Sequence, residues 1–242
     1  MNLSIDIGNT RIKAAVFEVN TIVYQNVFQQ KDFLVSIKNI LNNYPVTDVI
    51  ISSVGHLKPN QLEFLQENLK VHTLNSKTKL PFINNYKTPK TLGVDRIALV
   101  AAAVDKFPNQ NVLIFDAGTC ITCDFVNNKK EYFGGAISPG IEMRYKALHN
   151  FTASLPKLTR IETIPVMGNS TENAIHLGVL NGVVKEIEGI IQQYKAIYKK
   201  LTIVLTGGDI IFLAKNLKST IFANPNFLLE GLNSILTYNK DE

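Results

Sequence analysis

Three apolar runs in this chain end in short turns of one chemical kind: IDIGNT at residues 5–10, FDAGT at 115–119 and LTGGD at 205–209. Glycine lets a backbone come close to a phosphate, and neighbouring N–H groups and a Thr hydroxyl can bond its oxygens. An Asp at a strand end can hold a cation directly or through water, and that cation neutralises phosphate charge. Gly and Asn are also what any tight hairpin requires, so GNT read alone is an ordinary turn. A hairpin has no need, however, of a carboxylate two residues before its glycine. Asp6 stands so before Gly8, and Asp116 stands so before Gly118. Two such hairpins facing each other would grip a polyphosphate from both sides. The chain contains no G-x-x-x-x-G-K-[ST] run and no G-x-G-x-x-G after a strand, so neither a Walker nor a Rossmann site is supported.

LGVDR at 92–96 is the second chemical feature. Asp95 can be a first-turn acid that complements a helix dipole, with Arg96 its solvated neighbour. It can equally be the carboxylate that accepts a nucleophile's proton in phosphoryl transfer, with Arg96 gripping a carboxylate or phosphate through its planar fork. Spacing alone leaves both readings open.

The elements that must position these residues alternate in type. LSIDIGN, TRIKAAVFE and TIVYQNVF predict three consecutive strands, the first two joined by the Gly-Asn turn. DFLVSIKNILNNY predicts a helix closed by Pro45, DVIISSVG a strand buried on both faces, and NQLEFLQENL an amphipathic helix. YKTPKTLG reads as an irregular connection, followed by the Ala-rich helix VDRIALVAAAVDKF with Thr91 as its N-cap. VLIFDAGTCITCDFV then repeats the design of the N-terminus at about one domain's separation. After it come YFGGAISPG, the helix IEMRYKALHNF, and a long helix from about Thr171 to Lys199, capped by Asn169 with Glu172 as its box partner. The strand LTIVLTGGD, the short helix IIFLAKNL and the terminal helix FLLEGLNSILTYN complete the pattern. The expectation is an α/β chain of two units, 1–107 and 108–242, with a cleft between them where a ligand binds.

Composition sets the outer limits. A chain of 242 residues, 45% hydrophobic and 19% charged, buries one large core or two modest ones. No stretch is apolar enough for a membrane span, and Met1 leads straight into a strand, so a cytoplasmic protein without membrane partners is expected. The net charge of +5 is spread along the chain without a basic stripe interleaved with aromatics, which argues against a nucleic-acid partner. Cys120 and Cys123 lie three apart in one strand, pointing to opposite faces, and read as structural; the four histidines lack metal-ligand spacing.

DIGNTRIK, ISSV at 51–54, LGVDR, FDAGTCIT, GGAISPG with LHNFTASLP, GNST, LTGGD and LLEGL occur in an order that resembles the type III pantothenate kinases. These belong to the acetate and sugar kinase, Hsp70 and actin superfamily, built from two ribonuclease H-like domains. The resemblance runs over essentially the whole chain. It implies ATP-dependent phosphorylation of pantothenate at the start of coenzyme A synthesis. The ATP phosphate loop would fall on Asp6, Ile7, Gly8, Asn9 and Thr10, continuing through Arg11, Ile12 and Lys13, with Asp6 helping to place Mg2+. Pantothenate would meet Gly93, Val94, Asp95 and Arg96, with Asp95 as the base for its primary hydroxyl and Tyr86 and Thr171 as further contacts. Asp116 would hold a monovalent cation, K+ or NH4+, while Thr119 contacts ATP and Gly207 and Gly208 form the adenosine-side turn. It also implies a homodimer. A nucleotide-binding accessory factor for transcription without turnover is the alternative; intact Asp6, Asp95 and Asp116 weigh against it.

Overall fold

The computed structural model describes residues 1–8, 11–53, 57–75 and 77–240. Its first strands are β1 (Asn2–Ile7), β2 (Ile12–Glu18) and β3 (Thr21–Phe28), an antiparallel ribbon. Helix α1 (Phe33–Asn43) leads to β4 (Asp48–Ser53), and α2 (Pro59–Asn68) leads to β5 (Lys70–Thr73), both strands running parallel to β1. The resulting sheet has the order β3-β2-β1-β4-β5. Of the residues read into β4, Val54 and Gly55 lie outside the described residues, as does His56.

A short strand, β6 (Ile83–Asn84), and a single 3-10 turn at Pro89–Thr91 precede α3 (Val94–Lys106). The expected cap at Thr91 is corrected here. Thr91 closes the 3-10 turn, its hydroxyl donating to the Thr88 carbonyl at 3.0 Å, and the residue that caps α3 is Gly93.

The pattern then repeats. β7 (Asn111–Ala117), β8 (Cys120–Val126) and β9 (Glu131–Pro139) form the second ribbon, followed by α4 (Ile141–Asn150). Helix α5 (Thr171–His176) passes through one π-helical segment, Leu177–Asn181, into α6 (Gly182–Ile197), so the long predicted helix is present with one wide turn inside it. Its cap is Ser170 rather than Asn169. The Ser170 side chain accepts the Asn173 N–H at 3.2 Å, and Asn169 instead accepts from the Asn173 side chain. β10 (Leu201–Thr206), α7 (Ile210–Asn216), β11 (Phe222–Ala223) and α8 (Phe227–Lys240) end the chain. The second sheet runs β11-β10-β7-β8-β9, the strand order of the first, with β6 added beside β9. Duplication read from two Asp-x-Gly turns is therefore duplication of topology.

Two compact units result, and the chain crosses between them more than once. One comprises Met1–Asn109, Lys129–Phe133 and Asn226–Glu242; the other comprises Gln110–Asn128 and Gly134–Pro225. In the first, Leu3, Ile5 and Ile7 of β1 turn to one face and build a core with Phe33, Ile37 and Ile40 of α1 and Leu65 of α2. The alternation of a strand sends Asn2, Ser4 and Asp6 to the opposite face. That face receives α8 and α3; Asn2 donates to Asn233 of α8 at 2.9 Å. Helix α3 is buried from Arg96 to Val104, which its run of alanines permits by letting backbones approach. Gly231 of α8 makes the closest approach, since a Cβ there would lie 1.8 Å from the Ala98 carbonyl oxygen.

In the second unit Leu113, Phe115 and Ala117 of β7, with Ile121, Cys123 and Phe125 of β8, pack on Tyr145, Val183, Ile187 and Phe212. Cys123 sits in that core and Cys120 is partly exposed; both are free thiols. Asp116 and its cross-strand partner Thr122 turn to the opposite face. No helix of the described residues is long and apolar enough to cross a membrane.

Candidate functional site

In the first unit the ladder itself assembles the site. Asp6, the second-last residue of β1, has Lys13 of β2 as its antiparallel partner and Ser52 of β4 as its parallel partner. All three therefore project from the face that carries α3. The N-terminus of α3 brings Asp95 near enough for its charge to act on Asp6. Burial, chiefly, with the Asp95 carboxylate adding to it, pushes the Asp6 carboxyl from 3.8 up to about 6. The Lys13 ammonium and the Ser52 hydroxyl pull the other way. Although Ser52 Oγ favours the ionised form, it is sealed from solvent and completes no hydrogen bond.

Asp95 accepts the Arg96 N–H at 2.8 Å, which fixes its carboxylate in the first turn of α3. Arg96 is only 5% exposed, and its guanidinium lies over the Tyr86 ring, 5.6 Å from the centroid. Tyr86 in turn stacks on the buried Tyr132, the centroids 6.0 Å apart and the planes 19° from parallel. A guanidinium held by an aromatic face keeps its donor fork at a set orientation. Gly93, Val94 and Asp95 are half-buried, and Arg11 is exposed. Gly8 donates its N–H to the Arg11 carbonyl at 3.2 Å, closing the turn between β1 and β2. Asn9 and Thr10, expected in the phosphate loop, lie outside the described residues. Ile7 and Ile12 form the last ladder pair and face the core, so their share of the loop is backbone.

The second unit gathers the other turns. Gly118 donates to the Cys120 carbonyl at 3.0 Å, a loop one residue shorter than the first, with Thr119 exposed at its tip. Asp116 is flanked by Thr122 on β8 and Thr206 on β10. Gly207 has φ +99°, and a Cβ there would lie 2.4 Å from the Ala117 oxygen and 2.5 Å from Asp116 Oδ1. Only glycine fits this turn. Asp209 continues it, donating its N–H to the Ala117 carbonyl at 3.0 Å and accepting from Arg160 Nη1 at 2.6 Å. Burial raises the Asp209 pKa against the pull of Arg160. Gly140 is equally confined, 2.3 Å from the Gly118 oxygen if given a Cβ. Thr171 is exposed at the first position of α5.

The donor set suits hard cations. Among the described residues no three His, Cys, Asp or Glu side chains converge on a metal. A carboxylate kept half-protonated near pH 6 by burial and a second carboxylate is relieved by a divalent ion whose remaining ligands are phosphate oxygens and water. Sequence reasoning missed Ser52, Thr122, Tyr132 and Arg160. Ser52 and Thr122 were recoverable from register, since each lies directly across from an Asp already singled out. Tyr132 and Arg160 carried no local signal. A cavity of about 480 Å³ lined by Asn20, Asp105, Lys130, Ser234 and Tyr238 lies by the C-terminal end of α3, at the other end of that helix from Asp95.

Residues 2–193 match the family model described as type III pantothenate kinase. A protein of that name from Flavobacterium johnsoniae is 48% identical over 242 residues, covering 100% of this chain and 99% of its own. Another so named, from Christiangramia forsetii, is 49% identical over 243 residues, covering 100% of each. Among solved structures, a conserved protein from Campylobacter jejuni assigned to the Baf family of transcriptional activators superposes with a TM-score of 0.63 at 21% identity, covering 99% of this chain and 100% of that one. The activator of 2-hydroxyisocaproyl-CoA dehydratase from Clostridium difficile, with bound ADPNP, does so at 0.55 and 12%, covering 99% of this chain and 94% of that one. At these identities the two structures speak for the fold alone: two domains of the actin-like ATPase kind.

Proposed function

Because the chain belongs to the type III pantothenate kinase family, we propose that it transfers the γ-phosphoryl group of ATP to the primary hydroxyl of pantothenate, with Asp95 as the base. The observation that carries this reading is the electrostatic coupling of Asp95 to Asp6 at the first turn of α3. One carboxylate then takes the proton while the other belongs to the phosphate side. Arg96, oriented by Tyr86, binds the pantothenate carboxylate, and Gly93 and Val94 contact its amide through their backbone. Thr171 adds a contact to the same substrate. Gly8, Asn9, Thr10, Arg11, Ile12 and Lys13 carry the turn that cradles the ATP phosphates. Asp6 anchors the accompanying Mg2+, which when bound screens phosphate charge. Thr119 contacts ATP from the second hairpin, Gly207 and Gly208 take the adenosine side, and Asp116 holds K+ or NH4+.

We propose further that the ribonuclease H-like halves are 1–107 and 108–242 in chain order, with Lys129–Phe133 and Asn226–Glu242 of the second half belonging to the first compact unit, and that the enzyme is a cytoplasmic homodimer. Exposed Ile137 and Met143 of the second unit support an interface there.

The test is ATP-dependent phosphate transfer to pantothenate with the full chain, beside Asp95→Asn. The variant should lose at least ~100-fold in kcat, the range for removal of a positioned general base, while its KM for ATP stays near that of the parent. Full activity in the variant would overturn the assignment of Asp95. A parent chain that binds ATP but never phosphorylates pantothenate would favour the accessory-factor reading.

A further inference from the structure

The two sheets share a strand order but differ at one outer edge. β9 holds in the second sheet the place that β3 holds in the first, and β6 lies against β9 as an added parallel strand. Ile83 donates its N–H to the Lys130 carbonyl at 2.8 Å and Asn85 to the Tyr132 carbonyl at 2.9 Å. An edge of this ribbon therefore accepts a further strand. In the first sheet nothing plays the part of β6: among the described residues β3 pairs with β2 alone and ends the sheet.

An open edge is a template for another strand, and proteins ordinarily blunt one with charge or proline. β3 spans 8 residues, TIVYQNVF, with neither. Its one irregularity lies at the turn end, where Val16 pairs with Tyr24 and Phe17 with Ile22, leaving Val23 without a partner on β2. Tyr24 and Phe28 pack on the core of the first unit, whereas Val23, Gln25 and Val27 are exposed, Val27 to 50%. The exposed residues are symmetric about Gln25. Pairing β3 antiparallel with a second copy of itself, with the two-fold axis at Gln25, sets Val23 opposite Val27 and Gln25 opposite Gln25. An axis at Tyr24 or at Asn26 would instead set a valine opposite Gln25.

We propose that the outer edge of β3 is a self-association surface, which takes the β3 strand of a second copy in antiparallel register centred on Gln25. Main-chain hydrogen bonds between the two edges hold the copies together. The valines of one copy cover those of the other, and the two Gln25 amides, each both donor and acceptor, satisfy one another. No charge is opposed or buried. This surface lies apart in sequence from Ile137 and Met143 and does not rest on the homodimer proposed above. Where both two-fold contacts form, copies build a closed tetramer or an open chain. A contact through one short strand is small, and interfaces under ~1,200 Å² are weak and transient. The association is therefore reversible and belongs to high protein concentration.

The experiment measures the mass of the full chain by small-angle X-ray scattering over a concentration series reaching about 1 mM, the scale of a weak complex. The parent should rise towards twice its low-concentration mass or beyond. The homodimer proposed for the second unit sets that lower mass and does not depend on residue 25, so failure of either proposal is seen separately. Gln25→Lys sets two ammonium groups opposite each other at the axis, and Gln25→Glu two carboxylates, which repel directly across a ladder. Each variant should keep the low-concentration mass throughout, with melting temperature and kinase activity like the parent's. Mixed in equal amounts at low salt, the two variants should recover the rise, because lysine then faces glutamate. A parent of constant mass would overturn the proposal. A rise that both variants retain would overturn it equally, by placing the contact elsewhere. Loss in each variant without recovery in the mixture would overturn the pairing about Gln25.

Discussion

Replacing Asp6 by Asn removes a carboxyl that the fold holds at about 6, against an ordinary value of 3.8. The causes are burial first and the Asp95 charge second, so the folded state binds this proton more tightly than the unfolded chain does. Between pH 3.8 and about 6 the folded state then carries the extra proton, and stability falls as pH rises through that window and levels off above it. At ~1.36 kcal/mol for each pH unit between the two values, ionised Asp6 costs the ligand-free protein up to ~3 kcal/mol at neutral pH. Partial exposure of the side chain trims this to about 2 kcal/mol. Asn has nearly the same shape and no charge to desolvate. Asp6→Asn should therefore melt about 4–8 °C higher than the parent at pH 7.5, taking ~2–4 °C per kcal/mol for a chain of this size. At pH 4 the two should melt together. The same variant should lose most kinase activity, since the carboxylate proposed to anchor Mg2+ is gone. Melting curves of both proteins at half-unit steps from pH 4 to 8 check this. Equal melting temperatures at pH 7.5, or a gap that does not change with pH, would refute the argument.

Gly207→Ala should raise the KM for ATP at least tenfold and lower the melting temperature, because a left-handed φ costs ~1–3 kcal/mol for a side chain before the contacts with Ala117 and Asp116 are counted; steady-state kinetics and melting check both. Gly231→Ala should destabilise by at least ~2 kcal/mol by chemical denaturation, since overpacking against the Ala98 carbonyl outweighs the ~1 kcal/mol that alanine gains inside a helix. Arg160→Ala should raise the KM for ATP about five- to tenfold with kcat little changed, because the half-buried Asp209 then loses its partner and the Gly207–Gly208 turn its tether. Arg160→Lys should restore part of the loss.

The parts of the fold that rest on periodicity were legible. Three strands of the first ribbon, α1, α2, α3 and the terminal helix follow from alternation or a 3.6-residue repeat, which are properties of single segments. β5, β6 and β11 were not, because strands of two to four residues carry too few alternations to be told from loops. Both missed caps share another cause. Choosing among Thr91, Gly93, Asn169 and Ser170 requires knowing which backbone N–H is left open, and that depends on where the preceding turn ends. The site divides in the same way. Asp6, Asp95 and Asp116 stand out by local spacing, whereas Ser52 and Thr122 acquire meaning only once register sets them opposite those carboxylates.

Duplicated topology accounts for the likeness of the two strand-end carboxylates, while the residues that stand beside them differ. Beside Asp6 stand a second carboxylate and one ammonium, in surroundings whose burial raises the Asp6 carboxyl to about 6. Such a group gains most from a doubly charged ion, and ATP phosphates bring the further anions that such an ion demands. Beside Asp116 on β8 stands a neutral hydroxyl in place of the ammonium. Thr against Lys at one cross-strand position is thus sufficient to give two copies of one hairpin different electrostatic surroundings.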